Sequence, residues 1–225
     1  MKTGTGKKRC VIISALIEGY GAWIEKEAKD AFVMCADGGY AFAKELGIKT
    51  DLLIGDFDSY DGEMPSADDV ETIRVSSIKD DTDTGLCLKE ALDRGYTDIT
   101  MIGGMGGRLS HTIANIQSMA EVAKKTKKVV MADGFRRLTV LHGPASITVL
   151  ADADFPKSLE ETEKKHFLSL FAHGGDCTGV SISGVFYPLD DATLTPNFPL
   201  GVSNELTAPE ATVSVKKGTL IMIAE

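Results

Sequence analysis

The chain has 225 residues, 43% of them hydrophobic and 25% charged, with a net charge of −9. That length holds one large domain or two modest ones with buried cores. The acidic balance argues against nucleic acid or an anionic membrane as the main partner, and no apolar run is long enough to span a bilayer.

Residues 1–9 are basic, and no secretory apolar segment with a cleavage site follows them. Residues 10–14 read as a first buried strand and 23–29 as a helix. Residues 31–36 form a second strand that runs into Asp37-Gly38-Gly39. A short helix over 40–46 is closed by Gly47. Leu52-Leu53-Ile54 is a third strand, and Gly55 lets the backbone leave the sheet. A polar loop follows, then a strand over 70–75. Thr82 or Asp83 caps a helix over 84–94 that carries Leu88, Ala91 and Leu92 as its core stripe and ends at Gly95. The strand over 99–102 enters the run Gly103-Gly104-Met105-Gly106-Gly107-Arg108. In the next helix the spacing makes Ile113, Ile116 and Ala120 the buried stripe. His111 and Asn115 share a different face near the loop. Residues 127–132 are the last strand of this region.

Apolar strands alternating with helices predict a doubly wound, mostly parallel sheet. Beyond about residue 143 the pattern changes to short alternating segments (146–150, 167–171, 212–215, 220–223) separated by Gly, Pro and Asp turns, which predict a β-sandwich. The expected fold class is therefore α/β, with a catalytic domain over 1–142 and an all-β domain over 143–225. Cys10, Cys35, Cys87 and Cys177 are widely spaced in apolar stretches without a CxxC pair. They read as reduced core residues of a cytoplasmic protein.

Ligands of doubly wound sheets bind at the carboxyl ends of the strands, where Asp37 and the pair Asp56/Asp58 fall. In extended chain Asp56 and Asp58 project to one side, with Phe57 opposite. A second acidic run, Lys79-Asp80-Asp81-Thr82-Asp83-Thr84, directly precedes a helix. Like charges about 4 Å apart repel by roughly 4 kcal/mol at an effective dielectric of about 20, so two such clusters call for a cation. The pair points to a magnesium and phosphate site; the simpler alternative is a solvated acidic loop and a helix cap. The glycine-rich run is neither a Walker loop nor a dinucleotide fingerprint. Its glycines still let backbone amides approach an anion, and Arg108 adds a forked donor, the alternative being a tight turn. His111 is equally open to a structural role.

The motifs occur in a fixed order: Asp37-Gly38-Gly39, Gly55-Asp56-Phe57-Asp58-Ser59, Lys79-Asp80 with Thr82-Asp83, and Gly106-Gly107-Arg108-Leu109 with His111 and Asn115. Gly184-Val185-Phe186-Tyr187-Pro188-Leu189 and Gly201-Val202-Ser203-Asn204-Glu205 then follow. The series resembles the thiamine pyrophosphokinase family. The resemblance implies transfer of diphosphate from ATP to the hydroxyethyl group of thiamine with Mg²⁺, giving thiamine diphosphate and AMP. It also implies a homodimer in which the β domain lends residues to the thiamine site, so that sites are shared between subunits. Carried over, it assigns Asp56, Asp58 and Asp83 to metal, phosphate and catalysis, with Asp80 in the same motif. Gly106, Gly107 and Arg108 fall to nucleotide phosphates, and Ser203 and Asn204 to thiamine. Asp37, Gly38, His111 and Asn115 are further binding candidates of the same motifs. One departure stands out: the family carries aspartate where this chain has Ser110, and Asp81 offers a displaced carboxylate. Competing readings are a metal-dependent hydrolase or glycosyltransferase using the Asp-x-Asp pair, and a non-catalytic nucleotide or thiamine sensor.

Overall fold

The structure, a computed structural model, describes residues 8–19, 21–57, 62–66, 68–76, 81–154 and 165–225. The chain divides into two compact units after Asp133. In the first, the order is β1 (Cys10–Ile13), α1 (Trp23–Ala28), β2 (Phe32–Ala36), α2 (Gly39–Glu45), β3 (Leu52–Gly55), β4 (Glu71–Arg74), α3 (Asp83–Asp93), β5 (Asp98–Ile102), α4 (Leu109–Ala123) and β6 (Lys128–Ala132). The strands lie in the order β4-β3-β2-β1-β5-β6, all parallel. Chain order therefore reverses between β1 and β5, the kind of place where open α/β sheets leave a crevice for ligand.

Every residue of β1, β2 and β3 is buried, as continuous apolar runs in a covered parallel sheet require. Val11, Ile13, Val33, Cys35 and Leu53 pack with Ile24 of α1 and Ala43 of α2. Alternation sends Ile12, Met34, Leu52 and Ile54 the other way, and α3 packs on β1, β2 and β3, burying Cys87, Leu88 and Ala91. Truncating a fully buried leucine such as Leu88 to alanine costs about 2–5 kcal/mol. Of the two expected caps of α3 the hydroxyl of Thr82 is the one used, accepting from Gly85 N–H at 3.0 Å. At the other end of α3 the Arg94 guanidinium donates twice to Glu71 of β4 (3.1 and 3.0 Å) and once to Glu90 (2.7 Å), pinning the helix to the sheet edge.

The expected stripe of α4 is only partly right. Ala120 is buried and Ile116 half-buried, but Ile113 is 49% exposed. The buried face is Asn115, Met119, Ala120, Val122 and Ala123. It runs through Asn115 and Met119, four apart, and Ile113 lies well round the helix from it. A polar residue with partners on neighbouring elements fixes this face, and apolar periodicity has no way to register that.

The second unit holds β7 (Arg137–His142), β8 (Ala145–Leu150), the one-turn α5 (Ala151–Asp154), β9 (Phe167–Ser183), β10 (Leu189–Leu194), β11 (Gly201–Glu205), β12 (Glu210–Val215) and β13 (Lys217–Ala224). Its pairings are antiparallel. The long β9 pairs with β11 and β13 along its first half, and with β12 and β10 along its second. Leu168, Leu170, Val180, Ile182, Val213, Leu220 and Met222 meet in one core. The four anticipated segments fall in β8, β9, β12 and β13. The fold is mixed α/β, combining parallel and antiparallel strands, and no described helix is long and apolar enough to cross a membrane.

Candidate active site

Because the six strands are parallel, their carboxyl ends share one edge, and most of the candidates in the first unit gather there. Asp37 follows β2 in the left-handed region (φ 44), which aspartate tolerates better than most residues. Its N–H donates to Ile54 O at 2.9 Å. Gly55 is required by this approach, since a Cβ there would lie 3.0 Å from Asp37 Cα. Asp37 and the half-buried Asp56 are thus brought together by the backbones of β2 and β3. The next residue corrects one expectation: Phe57 has φ 59, so the chain is not extended at Phe57, and the extended run assumed there does not hold. Phe57 turns into the core, with the Arg74 guanidinium 5.5 Å from its ring centre. Asp58 and Asp80 lie outside the described residues.

Asp83 is the first residue of α3, where a carboxylate is favoured by the helix dipole. Among the described residues no three carboxylate, histidine or cysteine groups converge as a metal cluster. Asp81 is tied to Lys89 of α3.

After β5, Gly103, Gly104, Gly106 and Gly107 all have positive φ, and Arg108 stands before α4 without a side-chain cap. The exposed Arg108 guanidinium donates to His111 Nε2, so these two candidates act as a pair at the start of the helix. Ser110 is exposed beside them. Asn115 lies deeper, at 4% exposure. Its amide nitrogen donates to Gly104 O at 2.9 Å, and its oxygen accepts from Thr84 Oγ1 at 2.7 Å. Through one side chain the glycine loop is fastened to the start of α3, one residue from Asp83.

Sequence reasoning passed over two carboxylates in this unit. Asp133 is buried at the end of β6. Its setting, Ala132-Asp133-Gly134, repeats Ala36-Asp37-Gly38 at the end of β2, and that repeat was the available signal. Glu18, in the segment after β1, lies against Gly106; nothing local in the sequence marks it.

In the second unit Asn204 is buried and bonds the backbone of Tyr187 from both sides. Its oxygen accepts from Tyr187 N–H at 2.9 Å and its nitrogen donates to Tyr187 O at 2.7 Å. Ser203 takes φ 55, and its N–H donates to Ser169 Oγ at 3.0 Å. Tyr187 and Phe186 stand edge to face and are largely exposed. Tyr187, Leu200, Val202 and Asn204 help to line a cavity of about 190 Å³.

The four thiols are buried and unpaired. Desolvation pushes Cys35 up to about 12, against a smaller opposing effect of its Thr50 hydrogen bond, and raises Cys10, Cys87 and Cys177 as well. Thiols held neutral in this way are poor nucleophiles, which sets the four cysteines aside as site groups.

Residues 25–131 match the thiamin pyrophosphokinase catalytic domain, and residues 157–220 match the vitamin B1 binding domain of the same enzymes. The catalytic-domain match and the vitamin-binding match thus lie in succession on one chain. The chain belongs to the thiamin pyrophosphokinase family. It is 30% identical over 148 residues to thiamine pyrophosphokinase of Bacillus subtilis (strain 168). That match spans 64% of this chain and 63% of the relative, a little under two thirds of the relative's length. Among solved structures, thiamine pyrophosphokinase from Bacillus subtilis superposes with a TM-score of 0.77 at 24% identity, covering 97% of this chain and 99% of the other. The Geobacillus thermodenitrificans structure gives 0.77 at 24% identity, with 96% and 97% coverage. The yeast structure gives 0.68 at 14% identity, with 99% and 87% coverage. At these identities the structures speak to the fold.

Proposed function

We propose that this protein is a thiamine pyrophosphokinase that transfers the terminal diphosphate of ATP to the hydroxyethyl oxygen of thiamine, releasing AMP. The observation that carries the reading is the match to both the catalytic and the vitamin-binding halves of the family. The gathering of Asp37, Asp56 and the glycine loop at one edge of a parallel sheet supports it. The thiamine oxygen attacks the β-phosphorus, the bond from that phosphorus to the α-phosphate oxygen breaks, and the hydroxyl proton leaves. Such a transfer needs positioning and charge neutralisation more than a covalent catalyst.

In this reading Asp56, Asp58 and Asp83 would hold Mg²⁺ and phosphate, one of them would orient the hydroxyl, and Asp37, Gly38 and Asp80 would be further binding residues. Hard carboxylate oxygens are the donor set that Mg²⁺ takes, and the ion would supply charge neutralisation on the phosphates. Gly106, Gly107 and Arg108 hold nucleotide phosphates, with Arg108 kept in place by His111. Asn115 and Asn204 act by fixing the Gly104 and Tyr187 backbones, and Ser203 stands on the thiamine side. The α/β domain over 1–142 would bind nucleotide and metal, and a β-sandwich over 143–225 would bind thiamine. A homodimer would share sites between subunits in the cytoplasm. The exposed Phe186, Tyr187, Phe198, Leu200 and Val202 fit a surface that a second subunit and thiamine cover.

Product analysis after incubation with ATP, Mg²⁺ and thiamine tests the reading. Equal amounts of AMP and thiamine diphosphate are expected. ADP or free phosphate without thiamine diphosphate would assign a hydrolase, and ligand binding without turnover a sensor.

A further inference from the structure

The segment that follows β1 lies across the glycine loop. Gly104 N–H donates to Leu16 O at 3.2 Å, and a Cβ on Gly103 would fall 2.2 Å from that oxygen. At the middle of the loop the neighbour is a charge. A Cβ on Gly106 would meet Glu18 Oε1 at 2.1 Å and Glu18 Cδ at 2.6 Å, so the carboxylate fills the space where a side chain would stand. The two segments leave β1 and β5, the adjacent strands at which the sheet order reverses, and therefore border the ligand crevice. Glu18 is half-buried, which weakens the screening of its charge. The helix that the loop feeds has no acidic residue in its first turn. The carboxylate resting on this otherwise anion-friendly loop thus comes from a different part of the chain.

We propose that Glu18 is a specificity-determining residue of the nucleotide site, setting its preference for the divalent-metal complex of a polyphosphate over the metal-free form. The proposal rests on reading the glycine loop as the phosphate cradle. A carboxylate packed on the loop repels an ionised polyphosphate, and repels it less once a bound cation has neutralised part of that charge. Selectivity of this kind is built by repulsion of the wrong ligand form. Glu18→Gln keeps the shape and removes the charge.

The experiment measures equilibrium binding of ATP, with EDTA and with saturating Mg²⁺, to the full chain and to Glu18→Gln, with circular dichroism on both. The wild type binds the magnesium complex more tightly. In Glu18→Gln metal-free ATP gains about tenfold in affinity while the complex stays within about twofold, so the preference falls about tenfold. Glu18→Asp, which withdraws the carboxylate by one methylene, gives an intermediate preference and serves if the first variant does not fold. An unchanged preference in the folded variants overturns the assignment. If the wild type makes AMP and thiamine diphosphate while the preference is unchanged, Glu18 alone is removed. A wild type that binds neither form of ATP removes the proposed function as well.

Discussion

Asn115 offers the sharpest test of how the first unit is assembled. Asn115→Ala removes the donor to Gly104 O and the acceptor for Thr84 Oγ1. Each bond contributes about 1 kcal/mol, and leaving a partly buried carbonyl unpaired adds about 1 more, for roughly 2–3 kcal/mol in all. Asn115→Asp keeps the acceptor for Thr84 but turns an oxygen toward the Gly104 carbonyl and places a charge where 4% of the residue is exposed. Its cost at neutral pH is larger, about 4–5 kcal/mol. Protonation restores a donor, so the folded-state pKa of that new carboxyl lies above its unfolded value of about 3.9. The folded variant is thus stabilised by proton uptake, and the excess cost of Asn115→Asp over Asn115→Ala shrinks as the pH falls toward 5. Urea unfolding at pH 7.5 and 5.5, followed by the single tryptophan Trp23 of the first unit, measures both values. In parallel, the KM for ATP rises about tenfold in Asn115→Ala through the loosened loop. An aspartate variant as stable as the alanine one at neutral pH, with unchanged KM in both, would refute the clamp.

Asp56→Asn leaves the circular dichroism unchanged and lowers kcat by roughly 10²–10³, the usual loss for one electrostatic group at a reacting centre; wild-type turnover would remove Asp56 from the site. The buried thiols predict alkaline sensitivity. Cys35 is raised to about 12 by burial, so its stabilisation is fully present below the unfolded thiol value near 9 and is lost as the pH rises from there toward 12. Each such thiol adds a slope of about 1.4 kcal/mol per pH unit in that window. Cys35→Ala should flatten urea stability between pH 9 and 10.5 under reducing conditions, and an unchanged slope would show that the thiol ionises freely. If sites are shared in a two-fold dimer, mixing inactive Asp56→Asn with inactive Asn204→Ala leaves one intact site in each mixed dimer. About a quarter of wild-type activity then returns after random exchange. A mixture that stays inactive after verified exchange places each site within one subunit.

The first unit was legible because its strands are buried on both faces. Ile12, Met34, Leu52 and Ile54 stand in runs with no polar interruption, and the helices between them end at Gly47 and Gly95, both with positive φ. In the second unit β7, β10 and β11 were missed. Leu189–Leu194 alternates weakly and Gly201–Glu205 is short and polar, and both gain strand geometry from pairing with β9. A strand of 17 residues that changes partners halfway is held by tertiary contacts, and no local pattern announces it. The face of α4 was misread because hydrogen bonds to Gly104 and Thr84 orient the helix through Asn115.

At the site, position was more legible than role. That Asp37 and Asp56 stand together follows from parallel strands and the end-of-strand rule, and the approach of Gly55 to Asp37 realises it. What a motif residue does there depends on neighbours far away in sequence. Asn115 and Asn204 both look like ligand contacts when read along the chain. In the structure each uses a donor and an acceptor within the protein, Asn115 on Gly104 and Thr84, and Asn204 on the two ends of Tyr187. An amide used in this way fixes a backbone segment, because one planar group offers a donor and an acceptor side by side. Glu18 is the converse case. It belongs to no motif, yet the fold sets its carboxylate on the loop that the motif builds. A side chain's part in binding is decided by where its polar atoms end, and for these three residues that is settled by contacts 11 or more positions apart in the chain for every bond of the two asparagines, and by the crossing of β1 and β5 segments for the glutamate.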